Sequence, residues 1–286
     1  MDFLMLGIVF IFGTIIGSFL NVVIYRYNSG TSPLTGRSQC FSCGRTLTWR
    51  QLVPVLSFMA SRGRCSQCGV RLSWQYPIVE ILSGVIFVSV FLLDKPVYET
   101  VLLLVIFSTL LVIAVYDLRH QIIPDGPAIF FALLSLFWFI WSTPASFERL
   151  LQFPYYWTLI AGPMLFFPFW ALWFVSKGRW LGLGDGKLAL GIGWFLGATL
   201  GGSAIMLAFW IGAVYALCTM GLQKAHQKLK VVSPAFASIV NCQLSNVPLN
   251  MKSEIPFGPF LILATFIVYF TGVNFFDGSV NFFTFL

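Results

Sequence analysis

Apolar runs close to twenty residues long recur from one end of this chain to the other. That length matches a helix crossing a hydrocarbon layer of about 30 Å. Runs this long and unbroken exclude a transmembrane β-barrel, whose strands alternate over segments of about ten residues. Only 9% of the 286 residues are charged and 58% are apolar, against about 25% charged in soluble domains. The expected fold is an all-α polytopic membrane protein.

Eight spans are expected, near 4–25, 77–93, 98–116, 127–143, 155–176, 187–200, 203–221 and 256–274. The sixth is short and glycine-rich. Its Gly193/Gly197 and Gly197/Gly201 spacings predict close helix packing. The segment 26–76 carries seven arginines and no acid, which places it in the cytoplasm and the N-terminus outside. Alternating from there, only Lys95 and Arg149 of the seventeen basic residues fall outside. Both termini are then expected outside. The net charge of +7 follows from this asymmetry, so no nucleic-acid partner is expected. Asp2 and the lack of a basic start argue against a cleavable signal peptide. The chain divides into a first transmembrane helix (1–25), a cytoplasmic four-cysteine loop (26–76) and a larger transmembrane region (77–286).

Two aspartates are the candidate catalytic residues. Asp117 closes the third span, and Asp185 sits between Gly184 and Gly186 at the start of the sixth. Carboxylates at the edge of a hydrocarbon layer are costly and mark functional sites. The topology puts both at the cytoplasmic face. A dyad sharing one proton would hydrolyse a peptide by general acid–base chemistry. A helix C-terminus disfavours an anion and a helix N-terminus favours it, so Asp117 is read as holding the shared proton. Taken singly, Asp185 could be a helix N-cap and Asp117 a loop residue paired with Arg119. Gly182 and Gly184 are expected to let a substrate backbone approach, and Lys187, Pro256 and Gly258 complete the candidate cleft. Asp125 reads as an N-cap. Glu80, one turn into the second span, should face the interior or an aqueous cleft. His120 and His226 have no partner that would make a nucleophilic site.

The loop carries Cys40-Phe-Ser-Cys43 and Cys65-Ser-Gln-Cys68, each pair followed by glycine (Gly44, Gly69). Paired knuckles of this spacing read as a closed, structural zinc site. Two disulfides or free thiols are the alternatives, and a cytosolic loop disfavours disulfides. Cys218 is read as a small packing residue of the seventh span, and Cys242 has no partner in the sequence. The connector 222–255 reads as a solvated loop.

Two other classes compete with hydrolysis. One is a transporter or channel using the aspartates as ion ligands; the other is a non-enzymatic zinc-loop scaffold. No internal repeat supports the transporter.

The order of motifs resembles the bacterial type IV prepilin peptidases. The matching stretches are Gly17-Ser18-Phe19-Leu20-Asn21 through Arg26, the four cysteines with Pro54-Val55-Leu56-Ser57 between them, and Tyr76-Pro77-Ile78-Val79-Glu80. They continue with Asp117-Leu118 through Asp125, Gly182 to Leu188, and Ile255-Pro256-Phe257-Gly258-Pro259-Phe260. The resemblance implies that Asp117 and Asp185 are the pair of a Gly-x-Gly-Asp intramembrane aspartic protease, the kind presenilins also show. It implies prepilin or pseudopilin substrates of type IV pilus or type II secretion systems. Their short basic leader would be cut at the cytoplasmic face of the bacterial inner membrane, after Gly and before Phe. It also implies methylation of the new N-terminus from S-adenosylmethionine. Shorter members lacking the cysteine loop are peptidases only. No Gly-x-Gly-x-x-Gly follows a strand here, so no Rossmann site for the methyl donor is legible.

Overall fold

The computed structural model describes residues 3–30, 32, 36–142, 155–232, 256–276 and 279–280, and for 222–232 the backbone course alone. The chain is a helical bundle. Helix α1 (Phe3–Arg26) leads into the cysteine loop, which contains a 3-10 turn (Trp49–Gln51) and the short helix α2 (Leu56–Ala60). Then follow α3 (Gln75–Phe91), α4 (Val97–His120), α5 (Asp125–Ser142), α6 (Tyr155–Ser176), α7 (Leu183–Val232) and α8 (Gly258–Thr271). A two-residue antiparallel pair, β1 (Val273–Asn274) with β2 (Ser279–Val280), follows α8.

Among the described residues five helices are long and apolar enough to cross a membrane, and α3 and α8 are shorter apolar helices. The count approaches the expected eight through a break in α7. Gly197 takes φ 81° and ψ −179°, a conformation essentially reserved for glycine. A Cβ on Gly201 would stand 3.5 Å from the Ile192 carbonyl oxygen and 3.6 Å from the Gly193 Cα. In one straight helix, residues eight apart are separated by about 12 Å along the axis. The chain therefore doubles back at Gly197. The sixth and seventh spans are two arms joined at one glycine, where a short loop near 201–202 was expected.

Helix α4 is the centre of the bundle. Leu103, Ile106, Phe107, Leu110 and Ile113 are fully buried. Phe107 alone meets the rings of Phe195, Phe266, Tyr269 and Phe270. The outer helices keep large apolar side chains on their outward faces, among them Ile8, Ile11, Leu133, Phe167 and Val214, as a lipid-facing surface requires. Cys218 lies exposed on that surface, so it is not the packing residue expected. Cys242 and the connector beyond 232 lie outside the described residues.

Inside a membrane, helices are not driven together by water, so close backbone approach matters more. Gly13 and Gly17 bring α1 onto α3; a Cβ on either would stand 2.8 Å from the Gly84 or Glu80 Cα. The Ser83 hydroxyl donates to the Gly13 carbonyl at 2.8 Å. Gly193 does the same between α7 and α6, where its Cβ would lie 2.5 Å from the Ala161 carbonyl oxygen. Replacing Gly193 with Ala should destabilise the bundle by about 1–3 kcal/mol, the usual cost of overpacking. Gly7→Ala, with open space around it, is the control. Thermal unfolding in detergent should lower the midpoint for the first variant and not for the second.

Candidate active site and cysteine loop

The last turn of α4 and the first turn of α7 bring Asp117 and Asp185 together. Asp117 is 3% exposed and Asp185 7%, and each carboxylate lies within the field of the other. Neither is a solvated loop residue. Arg119, the alternative partner for Asp117, instead lies over the Tyr25 ring at 4.1 Å. Helix α4 ends where Gln121 turns left-handed, φ 56°, and its N–H closes onto the Asp117 carbonyl at 2.7 Å. That stop leaves the Asp117 side chain on the final turn, facing inward.

The start of α8 at Gly258 lies against Asp117, and Gly182 lies beside Asp185. Oδ1 of Asp185 is buried with no hydrogen-bond partner among the described residues. A carboxylate oxygen left so in a dry setting is poised to engage a water or a substrate group, because leaving it unmet is costly.

The glycines act differently from one another. A Cβ on Gly258 would stand 2.5 Å from Asp117 Oδ2, so only glycine lets the start of α8 close on the carboxylate. Gly184 makes room for Ile123, whose Cβ a side chain there would meet at 2.7 Å; it serves internal packing, not substrate approach. Around Gly182 the nearest atom is Asp185 Oδ2 at 3.6 Å, leaving space beside the carboxylate. Pro256 lies in the segment just ahead of α8. Lys187 does not point free into a cleft, since its ammonium pairs with Asp125 Oδ1 at 2.5 Å. Asp125 is itself the first residue of α5, one position inside the helix relative to an N-cap. His120 stacks against Tyr116 at 4.4 Å.

Helix ends gather around this pair. The Tyr27 hydroxyl accepts the Gly126 N–H at 3.2 Å, and the Tyr27 ring meets Tyr116 at 5.5 Å. Tyr25 stacks on Tyr76 at 5.1 Å and packs against Phe41 of the cysteine loop. The loop and the aspartates thus share one end of the bundle.

The loop is built from two matching turns. The Gly44 N–H donates to the Cys40 carbonyl and the Gly69 N–H to the Cys65 carbonyl, both at 2.9 Å. Both glycines take φ 69°. Isolated bridges Gln39–Thr46 and Arg64–Arg71 close the two turns. Amides of Cys43 and Ser42 point at the Cys40 sulfur and hold its thiol below the ordinary range. Amides of Cys68 and Gln67 do the same at Cys65, down to about 6. The four ligand sulfurs lie within 4.8 Å of one another, and none is in a disulfide. Desolvation and the neighbouring thiols push Cys68 up to about 11; the four together can hold a metal ion. Glu80, whose role the sequence left open, is 6% exposed and accepts the Val55 N–H of this loop at 2.7 Å.

A helical membrane protein with a buried aspartate pair at one edge is the architecture of an intramembrane aspartic peptidase. Residues 11–93 match the family model for the bacterial peptidase A24 N-terminal domain. Residues 104–217 match the type IV leader peptidase family. A prepilin leader peptidase/N-methyltransferase of Klebsiella pneumoniae is 30% identical over 68% of this chain and 86% of its own length. One of Aeromonas hydrophila is 26% identical over 95% and 92%. One of Myxococcus xanthus is 38% identical, over 40% of this chain and 34% of its own length. No solved structure matches the chain. The chain belongs to the type IV leader peptidase family.

Proposed function

We propose that this protein removes the short basic leader of type IV prepilins or type II secretion pseudopilins, cutting after Gly and before Phe, and N-methylates the residue exposed. The observation that carries the reading is the meeting of Asp117 and Asp185. They come from different helices, are buried at one edge of the bundle, and leave Asp185 Oδ1 unpartnered. Relatives named prepilin leader peptidase/N-methyltransferase support both activities.

The chemistry needs no covalent intermediate. One carboxylate takes a proton from water as the water oxygen bonds to the scissile carbonyl carbon, and the other gives its proton to the carbonyl oxygen. Collapse of the adduct breaks the C–N bond, the amine leaves with a proton, and the pair regains its single shared proton. Two adjacent carboxylates titrate as one unit, which keeps one protonated for this purpose. The substrate is an apolar helix whose chain must unwind near the cut. Pro256 and Gly258 interrupt helix beside Asp117 and support such an opening. An ion pathway would need its carboxylates near mid-membrane; these sit at helix ends, and the transporter reading is not favoured.

The membrane face is assigned from charge. The arginine-rich loop places the aspartates on the cytoplasmic side of the bacterial inner membrane with both termini outside. The metal is assigned as zinc. A tetrahedron with Zn–S bonds of about 2.3 Å has sulfurs about 3.8 Å apart, and Cys40 and Cys68 stand at 3.9 Å. Cys40, Cys43, Cys65 and Cys68 would hold it as a structural ion. S-adenosylmethionine supplies an electrophilic methyl group when bound. Asn21 Oδ1 on α1 and Gln75 Nε2 at the start of α3 are buried with no hydrogen-bond partner among the described residues, an acceptor and a donor of the kind an adenosyl group requires.

Asp117→Asn and Asp185→Asn should each lower cleavage of a model prepilin by about 10²–10⁴-fold, the size of a lost general acid or base. Unfolding midpoints should stay near wild type; a variant that cuts at the normal rate would overturn the dyad. Gly258→Leu should also impair cleavage, because the new side chain displaces Asp117. Elemental analysis should find zinc in the purified protein, and stripping it with a chelator should unfold the loop and abolish methylation while cleavage persists.

A further inference from the structure

Two features stand apart from the aspartate pair: Glu80 and the Pro54–Ser57 stretch of the loop. The structure joins them. Glu80 lies in a crowded place, where α1 passes so closely that a Cβ on Gly17 would stand 2.8 Å from the Glu80 Cα. A carboxylate buried at the edge of the hydrocarbon layer must be met by hydrogen bonds. The Val55 N–H, which belongs to the cysteine loop, donates to Oε2 at 2.7 Å.

Val55 is held in an uncommon conformation, φ 59° and ψ −52°. The Leu56 N–H closes onto the Pro54 carbonyl at 2.5 Å, a three-residue turn that is rare and strained for an L-residue. Branching at Cβ makes it rarer still. Such a geometry persists only where its surroundings over-determine it. Pro54 fixes one side, and α2 starts at Leu56 on the other. Glu80 takes the amide that the turn directs at the bundle.

That amide sets where α2 lies, and α2 sets the second cysteine turn. Phe58 of α2 packs under Gly63, where a Cβ would meet the ring at 2.9 Å, two residues before Cys65. The same ring meets Trp74 at 5.0 Å, next to the start of α3. The first cysteine turn is fastened separately, by Phe41 on Tyr25 and by Arg26 donating to the Arg37 carbonyl at 3.1 Å. Glu80 is therefore a hydrogen-bonded fastening of the Cys65 half of the loop to the membrane helices, beside the Phe58–Trp74 contact.

We propose that Glu80 is a positioning residue for methyl transfer and not for cleavage: through the Val55 amide it fixes the orientation of the cysteine loop on the bundle. The proposal rests on the reading that the loop serves the methyl transfer.

The full-length protein is compared as wild type, Glu80→Ala and Glu80→Gln with a model prepilin. Intact mass separates uncut substrate, cut product and methylated product. In Glu80→Ala the methylated fraction of the cut product should fall by about tenfold or more, as for lost supporting contacts at other sites, with cleavage and zinc content near wild type. Glu80→Gln should restore methylation. Its amide oxygen can still accept from Val55. Hydrogen exchange over residues 53–60 should quicken in the Ala variant alone. A wild-type methylated fraction in Glu80→Ala, a parallel loss of cleavage, or a Gln variant as impaired as Ala would each overturn the proposal. If wild type cuts without methylating, the assigned methyl transfer fails. The positioning contact is then judged by exchange alone, and unchanged exchange in Glu80→Ala overturns it.

Discussion

Helix starts packed against buried carboxylates organise one end of this bundle. At the edge of a hydrocarbon layer, an unmet carboxylate oxygen has no water to fall back on. The Val55 N–H, ahead of α2, donates to Glu80. Gly258 at the start of α8 lies against Asp117, and Gly182 just ahead of α7 lies beside Asp185. Each comes from the region where a helix begins and its amides lack intrahelical partners. The positions of α2, α7 and α8 are thereby coupled to three carboxylates.

Glycine makes that coupling geometrically possible. A side chain at Gly258 would occupy the space of the Asp117 carboxylate, and one at Gly184 would displace Ile123. Further from the site, Gly13, Gly17 and Gly193 let helices meet backbone to backbone, and Gly197 lets one long apolar stretch become two arms. Around these contacts α4 supplies the apolar core, with Phe107 at the centre of an aromatic cluster. The site at the end of α4 inherits its position from that buried column.

The cysteine loop follows another logic. It is held by two glycine-closed turns that direct amides at sulfur and by a strained turn at Val55. A segment of this size has little core of its own, so it leans on a metal-ligand cluster and on the membrane helices. Tyr25, stacked on Tyr76 and covered by Arg119, ties the loop, α1, α3 and α4 at one level.

The helical membrane architecture and the two cysteine pairs were legible in the chain because each is a one-dimensional signal. Apolar length is set by membrane thickness, and ligand spacing is set by a turn of four residues. The pairing of Asp117 with Asp185 was inferable only from their shared membrane face. What the sequence could not express was contact across it. Lys187 was read as part of the candidate cleft and is paired with Asp125, 62 positions earlier. Gly184 looked like substrate space and is filled by Ile123. Glu80 had no visible role until Val55 came to it. Hydrophobic periodicity and motif spacing record what each segment requires of its surroundings. Only the packed bundle decides which distant amide, cation or side chain answers, because that choice depends on helix ends meeting in three dimensions.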